Sequence, residues 1–159
     1  MSAKVRPVPE GFHTVSAHLV VRGAIKAIEF YKKAFGAVEI SRSPDPGGQL
    51  LMHAVIRVGD SMIMLGDEFP MMQRWVSPQS LNGTTVALCI YSDDADAACS
   101  RAIAAGCTVS FPMMDAFWGD RYGRVTDPFG YEWEFVTHKE DVSPEESALR
   151  AEAFFKGLK

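Results

Sequence analysis

The sequence predicts an α+β fold: two tandem β-α-β-β-β modules followed by a C-terminal helix. Three observations carry that prediction. Two segments, AIKAIEFYKKAFG at 24–36 and DADAACSRAIAAG at 94–106, space apolar and small residues at helical intervals and stop at Gly36 and Gly106. Glycine readily takes the left-handed conformation that closes a helix, so both are natural C-caps. Each segment is preceded by one strand-patterned run and followed by three more, so the halves share one order. The third observation is SPEESALRAEAFFKGLK at 143–159. There Ser143 suits an N-cap, Pro144 the first helical position, and Glu146 the return half of a capping box.

In the first module, TVSAHLVV alternates as a strand over 14–21, ahead of a helix over 24–35. AVEISRS follows as a strand near 38–43, then the loop PDPGGQ, then LLMHAVIRV (50–58) and a strand near 61–66 set off by the GDS turn. The second module repeats this with strands near 84–91, 107–112, 121–126 and 131–137, a helix near 94–105, and DPFG as the last hairpin turn. The modules span 14–68 and 84–138 within a single domain over 1–142, and 143–159 is the extra helix. The intervening FPMMQRWVSPQSLNG contains proline and is apolar, which predicts a packed link. A four-strand module buries too little alone, so the two are expected to pair.

Composition narrows the function classes. A net charge of −4 with no Lys/Arg cluster argues against a nucleic-acid or anionic-membrane surface. No apolar run approaches the roughly 18–20 residues of a membrane span, and MSAKVRPVPEGFHTV lacks a signal-peptide core. Cys89, Cys99 and Cys107 form no CxxC, so neither a disulfide framework nor a zinc knuckle is expected, and a cytoplasmic protein is the default. There is no GxSxG elbow, phosphate-binding glycine loop or HExxH. Cys99, inside an alanine-rich helix, is expected simply to pack.

The chemistry concentrates in FWGDRYGRVTDPFGYEWEF at 117–135. Period-two alternation sets Glu132 and Glu134 on one strand face and Tyr131, Trp133 and Phe135 on the other. Trp118, Arg121 and Tyr122 lie just before the last hairpin, where an arginine could bind a carboxylate or phosphonate in bidentate fashion. In LLMHAVIRV the same alternation sets His53, Val55 and Arg57 opposite Ala54, Ile56 and Val58. His53 is then either a structural histidine or an imidazole free to ligate a metal or act as a base.

The stretches AIEFYKKAFGA, HAVIRVGDSMIML and FWGDRYGRVTDPFGYEWEF resemble the vicinal oxygen chelate superfamily: glyoxalase I, bleomycin-resistance proteins, fosfomycin-resistance enzymes and extradiol dioxygenases. The similarity covers about 14–142 and is strongest to the small bacterial glyoxalase-like branch. It implies a curved, cup-shaped mixed sheet whose first and fourth strands in each module aim ligands at a central divalent ion, Zn, Ni, Mn or Fe. It places the carboxylate ligand on Glu134. The remaining positions fall on Ser16 with His18 next, on Ala87 with Cys89 next, and on Met62 and Met64, where thioethers suit a hard ion poorly. The metal set it leaves is Glu134, His18 and His53, with Glu134 and His53 as the catalytic pair and Trp118, Arg121, Cys89 and Met64 as ligand-binding residues. The readings open at this point are a metal-assisted lyase or isomerase on a small oxygenated substrate, a metal-free protein that sequesters a small molecule, a dioxygenase, and a structural dimer module. A homodimer is expected from the family habit and from the apolar FPMMQRWV link and the Phe154–Phe155 pair.

Overall fold

The computed structural model describes residues 5–69, 71–72 and 74–157. The chain divides between Gly83 and Thr84 into two compact units. Unit one comprises β1 (His18–Val21), α1 (Ala24–Phe35), β2 (Val38–Pro44), β3 (Leu51–Val58), β4 (Ser61–Asp67) and the one-turn α2 (Pro78–Leu81). Unit two comprises β5 (Ala87–Tyr91), α3 (Ala95–Ala105), β6 (Thr108–Asp115), β7 (Asp120–Thr126), β8 (Glu132–His138) and α4 (Pro144–Gly157). Each holds a four-stranded mixed sheet, in order β1-β4-β3-β2 and β5-β8-β7-β6, with the first strand parallel to the fourth and the rest antiparallel. The two β-α-β-β-β modules expected from the sequence are therefore present.

One face of each sheet is covered by its helix. Leu19, Val21, Ala54, Ile56, Ile63 and Leu65 are buried on the side where α1 contributes Ala27, Ile28 and Tyr31. In unit two Val125, Trp133 and Phe135 are buried with Ala98, Cys99 and Ala102 of α3, so Cys99 packs as anticipated. These side chains supply the main apolar burial, about 25 cal/mol per Å² of surface withdrawn from water. Among the described residues, the other face of each sheet carries no helix from its own module.

The first strand of each module is shorter than the alternation predicts. Ser16 Oγ donates to the His13 carbonyl, and Thr84 Oγ1 both accepts from Val86 N–H and donates to the Val86 carbonyl. Hydroxyls that satisfy the nearby backbone offer the chain an alternative to the ladder, so β1 begins at His18 and β5 at Ala87. The capping box at α4 forms only in part. Glu146 N–H donates to Ser143 Oγ at 3.2 Å, but the Glu146 carboxylate turns forward to Arg150 Nε at 2.7 Å. The link is tied down by Glu68, which accepts from Ser77 N–H, from Ser80 Oγ and from Arg22 Nε.

Two buried carboxylates fix the backbone. Asp67 accepts from the N–H groups of Gly23 and Ala24 at the start of α1 and from Leu51 N–H. Asp127 of the DPFG turn accepts from Phe129 and Tyr131 N–H and from Trp133 Nε1 at 2.8 to 3.0 Å. The turn is thereby locked by its own aspartate, as Asx turns are.

Candidate functional site

The site residues sit on the helix-free faces, and strand register decides which of them are neighbours. In unit one, β1 pairs His18 with Met64 and β3 pairs Val55 with Met64, so these three share a row. His53, two residues before Val55, is on the same face. The rings of His18 and His53 meet edge to face at 5.5 Å, and Trp75 from the link meets His18 at 4.7 Å. Burial, and then the charge of His53, hold His18 below its ordinary value of 6.5. His18 is thus a neutral imidazole at neutral pH.

In unit two the equivalent row is Cys89, Glu134 and Arg124. Tyr122, two residues from Arg124, donates its hydroxyl to Glu134 Oε1 at 2.8 Å. Burial first, and then this bond to a carboxylate, push the Tyr122 phenol up to about 12. Although Cys89 is exposed as a residue, partial burial of its thiol, and then the Glu134 charge, push the thiol up to about 11, so it is protonated at neutral pH. Trp118 and Phe111 flank Tyr122, with ring centroids at 5.4 Å and 5.8 Å. Glu132, one row along, is occupied by Ser110 Oγ and Thr126 Oγ1, and lies 3.4 Å from Arg124 Nε.

Trp118 is held from behind. Its Nε1–H donates to Asp120 Oδ2 at 2.8 Å, and His138 Nδ1 lies 2.7 Å from Asp120 Oδ1. Gly119 makes the turn with φ +104°, and a Cβ there would come within 2.2 Å of the Glu140 carbonyl, so only glycine fits. The next ring, Phe117, meets Phe154 and Phe155 of α4 at 5.7 Å and 6.2 Å.

Arg121 corrects the sequence expectation. It lies on the helix side of β7, with Nε and Nη2 each 2.8 Å from the Asp96 carboxylate of α3. The signal was available: Arg121 alternates with Gly123 and Val125, whereas Tyr122 and Arg124 share the phase of Glu134. By that parity Tyr122 belongs in the site. Asp120 and His138 share that phase as well, at the ends of β7 and β8. Trp75 gave no such signal, because a link residue has no period to follow. Met64 lies beside His18, and Cys89 beside Glu134, as phase implied.

The profile of the "Glyoxalase/Bleomycin resistance protein/Dioxygenase superfamily" matches residues 12–135. The chain belongs to that superfamily. An uncharacterized protein of Mycobacterium bovis is 44% identical over 134 residues, 83% of this chain and 88% of the relative. Among solved structures, TioX from Micromonospora sp. ML1 superposes with a TM-score of 0.63 at 24% identity, over 79% of this chain and 98% of TioX. The fosfomycin resistance protein FosX from Listeria monocytogenes gives 0.57 at 20% identity, over 85% and 97%. These structures share the fold.

The divalent ion that the superfamily resemblance implies does not suit the residues present. Met64 occupies in unit one the register position that Glu134 occupies in unit two, and a thioether offers a hard ion little. Cys89 stands in unit two where unit one has His18, so the two units do not repeat one ligand set. Among the described residues no group of three or more His, Cys, Asp or Glu side chains is arranged to hold a metal ion. No helix among them is long and apolar enough to cross a membrane.

Proposed function

We propose that this superfamily member binds a small, flat, cationic or donor-bearing molecule on the helix-free face of unit two, and that binding needs no divalent ion. The observation that carries this reading is Glu134. Its Oε1 holds the Tyr122 hydroxyl, while Oε2 has no hydrogen-bond donor among the described residues. A carboxylate with one acceptor oxygen unused, flanked by Tyr122, Trp118 and Phe111, offers charge and aromatic surface together. That combination suits cations and aromatic amines. Sequestration is the reading these residues favour: Tyr122 already donates its hydrogen bond to Glu134, and the rings around them offer surface for binding.

Thermal melting with ethidium or bleomycin in the presence of EDTA tests this reading. The protein is expected to be stabilised by at least one of these ligands in EDTA, and Glu134→Gln to lose the stabilisation. The competing metal-assisted lyase or isomerase reading predicts that stabilisation appears only when Zn²⁺, Ni²⁺ or Mn²⁺ is added. The protein should also be a homodimer, since α4 exposes Leu149 and Phe155 and buries no residue of its own. Light scattering that gives the monomer mass at micromolar concentration contradicts the dimer.

A further inference from the structure

Unit one contains a cavity of about 590 Å³ whose lining shares only Trp75 with the residues described above for the helix-free faces. Its wall combines the ends of β1 and β4 with the link: Arg22, Glu68, Phe69, Met72, Arg74 and Trp75 are the side chains that decide its chemistry. The volume falls within the roughly 300–1,000 Å³ of sites that take small molecules.

Its charges can be accounted for one by one. Asp67, in the wall, spends its oxygens on the N–H groups of Gly23, Ala24 and Leu51. Glu68 accepts from Ser77 N–H and Ser80 Oγ, and pairs with Arg22 Nε at 3.0 Å. Arg22 also reaches Ser80 Oγ. Arg74 is different, since it makes no hydrogen bond or ion pair among the described residues. It also stands in the left-handed region at φ 69°, a conformation few non-glycine residues adopt. The residue is exposed, so its guanidinium is open to an incoming anion. The unmet charge of the wall is therefore positive. Phe69, Met72 and Trp75 beside it are apolar and aromatic. His18, against Trp75, is shifted towards its neutral form and adds no second cation.

The geometry points to a second small-molecule site in this cavity, which takes an aromatic carboxylate: the ring against Trp75 and Phe69, the carboxylate on the Arg74 guanidinium. A planar guanidinium matches a carboxylate in bidentate geometry and stacks on aromatic faces, so this residue pair recognises both halves of such a ligand. The site is separate in unit and opposite in charge preference from the one proposed around Glu134.

A naphthoate titrated into the full-length protein tests the assignment, followed by calorimetry and by the three tryptophan indole resonances, assigned with single Trp→Phe variants. Saturable binding is expected, with the largest shift on Trp75. Arg74→Gln is expected to weaken it by roughly tenfold or more without changing the melting temperature, because a charge-assisted bond is lost. The neutral analogue naphthylmethanol is expected to bind wild type about as weakly as naphthoate binds that variant. Glu134→Gln is expected to leave naphthoate binding unchanged, which separates this site from the other. The assignment is overturned if wild type shows no binding at millimolar naphthoate. It is equally overturned if Arg74→Gln binds like wild type, or if the shifts centre on Trp118 and depend on Glu134.

Discussion

The two helix-free faces are built on one backbone pattern and carry opposite chemistry. Register aligns His18 with Cys89, Val55 with Arg124 and Met64 with Glu134, and the residue two positions before each β3 or β7 partner is His53 or Tyr122. Unit one therefore presents imidazoles, a thioether and a valine, with Trp75 against them. Unit two presents a carboxylate, a phenol bonded to it, a thiol and the Arg124 guanidinium. The helix sides differ far less, being apolar in both. The two modules are thus alike on the faces that bury the sheets and differ in the rows that share a register on the other faces.

The largest expected effect breaks the comparison at its most similar point. Asp67 and Thr137 are equivalent strand-end residues that satisfy the start of the module's helix. Asp67 does so for Gly23 and Ala24 and also holds Leu51, while Thr137 Oγ1 accepts only from Ala95 N–H and donates to the Ser92 carbonyl. Leaving buried N–H groups unpaired costs about 1–3 kcal/mol each at most, so Asp67→Ala should cost about 3 kcal/mol or more and Thr137→Ala about 1 kcal/mol. Urea unfolding of the two variants measures the gap, and equal losses would mean that the two helix starts are not held in the way described.

Tyr122 gives the next effect. With Glu134→Gln the acceptor loses its charge, so the phenol should fall from about 12 part of the way towards its ordinary 10.0, burial retaining the rest. Tyr122→Phe should cost about 1 kcal/mol through loss of the hydrogen bond. Ultraviolet titration of the tyrosines reads the first, and a phenol unmoved by Glu134→Gln would remove Glu134 as a cause of the shift.

The histidines of the two units should respond to pH with opposite sign. His138 is raised by its bonds to Asp120 and then Asp141. Its stabilisation is present in full below 6.5 and is lost as pH rises through the higher folded value. His18 is lowered by burial and then by His53, so its contribution is present above 6.5 and is lost as pH falls through the lower folded value. NMR titration of the imidazoles checks both, and His18 titrating above His138 would reverse the assignment. The smallest effect is at Arg121. Its pair with Asp96 is largely at the surface, so Arg121→Ala should leave the melting temperature nearly unchanged and ligand binding untouched.

How much of this was legible in the sequence follows from where periodicity operates. Helix bounds, strand order and the phase of Glu134, His53 and Cys89 all follow from repeats of 3.6 and 2. The same rule assigns Tyr122 to the site and Arg121 to the helix side, so the misplacement of Arg121 came from reading proximity in the chain instead of parity. The late starts of β1 and β5 were decided by hydroxyl–backbone bonds at Ser16 and Thr84 that compete locally with the ladder. Trp75 and Arg74 in its left-handed turn lie in the link, which has no period, and only tertiary structure brings them to a site. The Asp120–His138 pair behind Trp118 was in phase with Tyr122 and Glu134 and was legible by the same rule.

The central claim is that Glu134, within an aromatic frame, binds a ligand without a metal. The most direct measurement follows the Trp118 indole resonance while ethidium is titrated into protein held in EDTA, for wild type and for Glu134→Gln. The account predicts a saturable shift of Trp118 in wild type and binding weakened by about tenfold or more in the variant, equivalent to roughly 1.4 kcal/mol. A Trp118 resonance that stays still until a divalent ion is restored, or that shifts equally in both proteins, would contradict it.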